Sequence, residues 1–133
     1  MSTEFGEPWR HPGLTLEQAM AHVGPGWREL VRRAWGLVVE RNGGRVVEVR
    51  EKHGELRVYH EDTLVPEVTD RLMREGFGRT SLQTCEGCGA YGTLRTDDEI
   101  WKTLCDRCAH RFYELGFGPD WDRVRGDESA EDG

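Results

Sequence analysis

The residues of this chain best placed to do chemistry are its four cysteines, arranged as two Cys-x-x-Cys pairs: Cys85-Glu86-Gly87-Cys88 and Cys105-Asp106-Arg107-Cys108. Two thiolates spaced this way can aim at one point, and two such pairs complete a tetrahedral site of four sulfurs. That set is closed. No position is left for water or substrate, so the expected occupant is a structural Zn2+ held by Cys85, Cys88, Cys105 and Cys108. A redox site would use one Cys-x-x-Cys after a strand of a βαβ unit. An iron–sulfur cluster uses other spacings. Both alternatives fit the pattern less well than zinc. His110, two residues after Cys108, points elsewhere on its helix and reads as a surface residue rather than a ligand.

The cysteines need elements to hold them. Gly89 follows the first pair at once, giving the Cys-x-x-Cys-Gly of a zinc knuckle whose backbone N–H groups point at the sulfurs. Gly87 and Gly89 would supply its positive φ angles. Residues 91–96 predict a strand, Asp97-Asp98-Glu99 a turn, and residues 100–104 the returning strand. The second pair opens a helix running to Leu115 and closed by Gly116. Cys105 and Cys108 are expected in its first turn, where the helix dipole favours thiolate. Knuckle, hairpin and helix in this order are similar to the treble-clef zinc finger. The helical continuation past Cys108 favours that over a zinc ribbon. Lys102, Arg95 and Arg107 would offset the charge of the site.

Ahead of the lobe the pattern predicts an α+β body. A capping box, Thr15 with Gln18, opens a first helix at residues 16–23, which Gly24-Pro25-Gly26 ends. A second helix spans residues 27–41. Its stripe is Trp27, Leu30, Val31, Ala34, Trp35 and Val38, with Arg28, Arg32 and Arg33 off it. A β-hairpin follows, with Val47 and Val49 alternating against Glu48 and Arg50. On the return strand Leu56, Val58 and His60 oppose Arg57 and Tyr59. Lys52-His53-Gly54 supplies the turn, and its charges are expected to be solvated. Residues 66–75 predict a short helix with Val68, Leu72 and Met73 inward and Gly76 just past its end. Residues 78–84 lead into the metal lobe. The expected division is a loose arm at 1–13, a helical and β-hairpin body at 14–84, a four-cysteine zinc lobe at 85–118 and an acidic tail at 119–133. Trp9 would pin the arm, and Trp121 and Val124 would pack back on the body.

With 133 residues, 32% charged and 36% hydrophobic, the composition suits one soluble domain. No run approaches the roughly 20 apolar residues that cross a bilayer, and residues 1–13 hold no hydrophobic stretch of a signal peptide. A cytoplasmic location, where thiols stay reduced and bind metal, is the expectation. The formal net charge is -7, and four thiolates with one divalent ion lower it by two. Such a chain is repelled by nucleic acid unless its cations share a face.

The chain resembles a group of small uncharacterised zinc-finger proteins of bacteria and bacteriophages. Three stretches carry the resemblance: Gly26-Trp27-Arg28-Glu29-Leu30-Val31; residues 49–59, Val49-Arg50-Glu51-Lys52-His53-Gly54-Glu55-Leu56-Arg57-Val58-Tyr59; and the two Cys motifs with Lys102-Thr103-Leu104 before the second. Such relatives typically carry Phe where His53 stands. The resemblance implies zinc and the α+β layout, and lends no catalytic residue.

These observations point to a non-catalytic interaction or regulatory protein, of bacteriophage or mobile-element origin, with a protein partner. The alternative is a nucleic-acid-binding zinc-finger regulator, which would use Arg107, His110 and Arg111, or a footprint of Arg28, Arg32, Arg33, Arg41, Arg45, Arg50 and Arg57. An enzyme is not expected. Residues 91–104 hold no His for an HNH-type nuclease, and no phosphate loop, nucleophile elbow or His-Glu-x-x-His is present. His22, His53 and His60 are too scattered to form a site.

Overall fold

The computed structural model describes residues 12–97 and 99–116. Trp9, Trp121 and Val124, assigned packing roles above, lie outside the described residues, as does Asp98.

The chain enters through α1 (Leu16–Ala21). Both capping-box bonds form: the Thr15 hydroxyl accepts from Gln18 N–H, and the Gln18 side chain accepts from Thr15 N–H. The helix ends at Ala21, two residues short of the expected end, with His22 as its C-cap. A tight turn, Pro25–Trp27, leads into α2 (residues 28–41), whose second half, Gly36–Arg41, winds wider than an α-helix. The predicted stripe is buried at Trp27, Leu30, Val31, Ala34 and Val38. Trp35 is half-buried and donates its indole N–H to Leu14 C=O at 2.9 Å.

β1 (Arg45–Lys52) and β2 (Glu55–Glu61) form an antiparallel hairpin. Its two-residue turn is His53-Gly54, both at positive φ (54° and 83°), as a primed hairpin turn requires. The register shifts between Val46 and Glu48. That bulge corrects the alternation read from the sequence: Val46 and Val49 are fully buried, and Val47 is only half so. β2 keeps strict alternation, with Leu56 and Val58 in the core and Tyr59 out.

The helix after the hairpin is longer than expected and rotated. α3 covers residues 66–81, in three consecutive segments: Pro66–Arg71, a wider-wound Leu72–Gly78, and Arg79–Ser81. Gly76 does not end it, because a glycine with ordinary helical φ interrupts nothing that packing holds in place. The buried positions are Thr69, Met73, Gly78 and Ser81. Val68 (52% exposed) and Leu72 (41%) face solvent, against the inward placement expected for them. The apolar residues of α1, α2, β1 and β2 close over Met73 in one cluster, with Phe77 packed at its margin.

β3 (Thr93–Arg95) and β4 (Lys102–Leu104) form a second antiparallel hairpin, followed by α4 at residues 106–114 (Asp106–Ala109 and His110–Glu114). The architecture is α+β: helices on two small antiparallel sheets, with the cysteines near the C-terminal end of the described residues. Among the described residues no helix is long and apolar enough to cross a membrane.

Candidate metal centre

The knuckle sits between the end of α3 and β3. Cys85 N–H donates to Ala90 C=O at 2.7 Å, and Gly89 N–H donates back to Cys85 C=O at 2.8 Å, which closes the turn. Gly89 adopts φ 87°, the left-handed conformation expected for it. Gly87 does not; it is buried with ordinary φ. The second pair comes from α4. Cys105 is the N-cap rather than a first-turn residue, and its sulfur accepts from Cys108 N–H at 3.5 Å.

The four sulfurs converge. All lie within 4.8 Å of one another, and Cys88 Sγ stands 3.7 Å from Cys105 Sγ. Zinc–sulfur bonds of about 2.3 Å in a tetrahedron place sulfurs about 3.8 Å apart. The residues therefore fit a metal ion, and the set is compatible with structural zinc. Cys85 and Cys108 are buried, Cys105 is half-buried, and Cys88 is the exposed member.

The proton chemistry of Cys85, Cys88 and Cys108 agrees. The Cys85 thiol is lowered to about 4, first by a hydrogen bond from Cys108 and further by backbone N–H groups of Cys105, Cys88 and Gly87. Cys88 is raised to about 11, by burial first and then by the charge of Cys85. Cys108 is pushed up by its hydrogen bond to Cys85, then by burial. One thiolate thus opposes ionisation of its neighbours. A divalent cation removes that conflict, because a metal-bound thiol deprotonates outright.

Around the sulfurs lies a set of residues that the cysteine spacing does not disclose. Glu86, inside the knuckle, is 1% exposed. Its carboxylate accepts from Gly24 N–H at 3.1 Å and from the Lys102 ammonium at 3.3 Å. Lys102 also lies 3.3 Å from Glu51 of β1. Glu86, Lys102 and Glu51 therefore join the knuckle, β4 and the first hairpin. Burial raises the Glu86 pKa, and Lys102 acts against that rise. Lys102, which its place in the sequence suggested would offset the sulfur charge, is paired with two carboxylates. Arg95 likewise binds Asp106 at 2.8 Å and Leu104 C=O at 3.1 Å.

Two further contacts attach the lobe to the rest of the chain. Gly26 N–H donates to Glu86 C=O at 2.7 Å, and the Trp27 indole donates to Thr84 C=O at 2.7 Å. Gly26 lies so close to the knuckle that a Cβ there would stand 2.0 Å from Cys85 C=O and 2.4 Å from Gly89 N. The second contact is the hairpin turn. Thr103 Oγ1 donates to Gly54 C=O at 2.7 Å, Leu94 packs against Gly54, and the His53 and Trp101 rings stand 5.8 Å apart. The charges of Glu51-Lys52-His53-Gly54 are therefore not simply solvated, as the sequence suggested; the turn is a docking point for β4.

Other candidate residues fall outside the cluster. His110 is exposed and pairs with Glu114 at 2.8 Å. His60 is half-buried, with both ring nitrogens shielded and without a hydrogen-bond partner. The central arginines are largely matched with acids: Arg32 with Glu29, Arg45 with Glu61 and Asp62, Arg50 with Glu48, Arg57 with Glu55. Arg33 lies over the Phe77 ring. The signals for Glu86 and Gly26 were faint: a carboxylate between two cysteines, and a Gly-Pro-Gly that reads as a helix stop.

No protein-family model, curated protein or solved structure matches the chain.

Proposed function

We propose that this chain is a non-catalytic zinc protein whose treble-clef-like lobe is a structural clip, and whose task is to bind a partner protein. The observation that carries the reading is the amount of large apolar side chain left in solvent beside so small a core. Leu64 is 77% exposed, and Val65, Val68 and Leu72 continue from it along the start of α3. On the lobe, Tyr91 (72%), Ile100 (57%) and Trp101 are also exposed. Exposed apolar groups gathered on one element mark interaction surfaces more often than chance scatter does.

The metal chemistry fits this reading. Four sulfurs saturate a zinc ion, so the ion has no open position for a substrate. The charge pattern weighs against the nucleic-acid alternative. Arginines already matched with carboxylates release fewer counterions on meeting a phosphate backbone. On α4 itself, Asp106 and Glu114 stand beside Arg107 and His110. The resemblance to small bacterial and bacteriophage proteins suits a mobile-element protein that engages a host protein inside the cell.

Cross-linking in the native cell, followed by affinity purification with and without nuclease, tests the proposal. A protein cross-linked in stoichiometric yield after nuclease treatment supports it. Capture that disappears with nuclease, together with DNA or RNA binding that falls steeply with salt, overturns it in favour of the nucleic-acid reading.

A further inference from the structure

The β1–β2 sheet has two edges, and each is met by the rest of the chain at one end. On the β1 edge Leu14 N–H donates to Val46 C=O at 2.7 Å. The β2 edge is covered only at its start. Leu56 N–H turns outward to Ser81 Oγ at 2.9 Å, and Leu56 C=O lies against Gly78 of α3. In an antiparallel ladder the outward-facing residues alternate. The register is regular from Lys52↔Glu55 through Val49↔Val58. Val58 therefore turns its N–H and C=O to the same side as Leu56, and among the described residues neither group has a backbone partner beyond the ladder. At Val58 the helix stands away from the strand, leaving a cleft of ≈ 760 Å³ with Val58 and Tyr59 on one wall and Asp70, Arg71 and Arg74 on the other. Proline and lysine, which commonly protect strand edges, are absent from Glu55–Glu61.

We propose that this cleft receives an extended segment of a partner protein, which adds as a third strand beside β2. The inference rests on the reading of the chain as a partner-binding protein and names the surface and the chemistry. Main-chain hydrogen bonds to Val58 supply the register, as in other strand-addition sites. The charges of the wall supply selectivity. Arg71 and Arg74 are exposed and make no ion pair among the described residues, whereas Arg57 is held by Glu55 at 2.9 Å. The segment therefore carries an acidic side chain where Arg71 and Arg74 face it. Glu67 and Asp70 lie one turn earlier on the same wall and suit a basic residue at that end.

The test is selection from a display library of random dodecapeptides against the full zinc-loaded chain. Each recovered peptide is then resynthesised with single N-methylated amides. Strand addition predicts that methylation at the one position whose N–H meets Val58 C=O weakens binding about tenfold and leaves the neighbouring positions unaffected. It also predicts that the Arg71→Glu, Arg74→Glu double variant, altered only at exposed unpaired side chains, loses about tenfold for acidic peptides. Uniform tolerance of N-methylation, or binding lost on Leu72→Gln and kept in the double variant, overturns the cleft while leaving a partner-binding protein in place. No enriched peptide also overturns the cleft. If nuclease then abolishes capture from cells as well, the broader reading falls separately.

Discussion

The two halves of the molecule are held together by different means. From Ala19 to Met73, twelve apolar residues are buried in one cluster and touch without interruption. The metal lobe buries Cys85, Leu104, Cys108, Ala109 and Phe112, two of which are the sulfurs themselves. By the usual measure of about 0.8 kcal/mol per buried methylene, so few side chains do not offset the chain entropy of ordering residues 85–116. The difference teaches where the metal acts. The first half buries carbon, and the lobe has at its centre four sulfurs positioned to bind a metal ion. The joints between them are Gly26 on the knuckle and Gly54 on β4.

Metal removal is the largest perturbation that this contrast predicts. Structural zinc contributes apparent free energies of about 10–16 kcal/mol in small fingers. A strong chelator is expected to abolish protection of amides 85–116 against hydrogen exchange while amides in α2, β1 and β2 remain protected. Cys88→Ser should act in the same direction, with reduced zinc content. Full zinc content and parental thermal stability in that variant would remove the basis of the contrast.

The next effect concerns the buried ion network. Lys102→Met leaves Glu86 as an uncompensated carboxylate, a change expected to cost about 3–5 kcal/mol at neutral pH. Burial has already raised the Glu86 pKa above its unfolded value. A carboxyl raised in this way is protonated more readily in the folded than in the unfolded chain. Its favourable contribution is complete below the unfolded pKa and is lost as pH rises through the folded one. Removing the lysine raises the folded pKa further. The deficit of the variant, taken as the difference from the parent at each pH, should shrink as pH falls from neutral towards 5. Denaturant titration of both zinc-loaded proteins checks this, and a deficit that grows on acidification contradicts it.

Gly26→Ala comes third and tests the joint rather than either half. The added methyl overlaps Cys85 C=O and Gly89 N, backbone atoms that cannot rotate aside. A loss of about 3 kcal/mol is expected, at the upper end for overpacking. Zinc binding should persist, since no sulfur moves out of reach, while Trp27 loses its bond to Thr84. Retained zinc with altered Trp27 fluorescence is the signature. Loss of zinc would mean that the lobe cannot form without the joint.

These contrasts also explain what could be read from the residues alone. Local signals survived folding: the Thr15–Gln18 box, the α2 stripe, the alternation of β2 and the two cysteine pairs are each set by neighbours close in sequence. The misreadings share one cause, a decision taken by distant residues. Val47 lost its inward place because a bulge re-phased β1 against β2. Glu86 drew no reading inside the first cysteine pair, because the partners that bury it, Lys102 and Gly24, lie far from it in sequence. Gly26 read as punctuation because the surface it approaches lies some sixty positions later in the sequence.

The smallest predicted effect concerns α3, the element whose phase the sequence misplaced. Val68, Leu72 and Met73 all carry apolar side chains, and a periodicity argument places them together. The fold separates them: Met73 is 2% exposed and touches the core, while Val68 and Leu72 continue the exposed line from Leu64 and Val65. Thr69 takes the inward position, satisfied by donating its hydroxyl to Val65 C=O at 3.0 Å. Val68→Thr and Leu72→Gln should therefore change stability by no more than about 0.5 kcal/mol, with Met73→Ala as the control at about 2–5 kcal/mol. If the two exposed positions proved as costly as Met73, α3 would be rotated and the apolar line would belong to the core. If they prove neutral, that line is held on the surface at no benefit to folding, which is the pattern expected of residues retained for a partner.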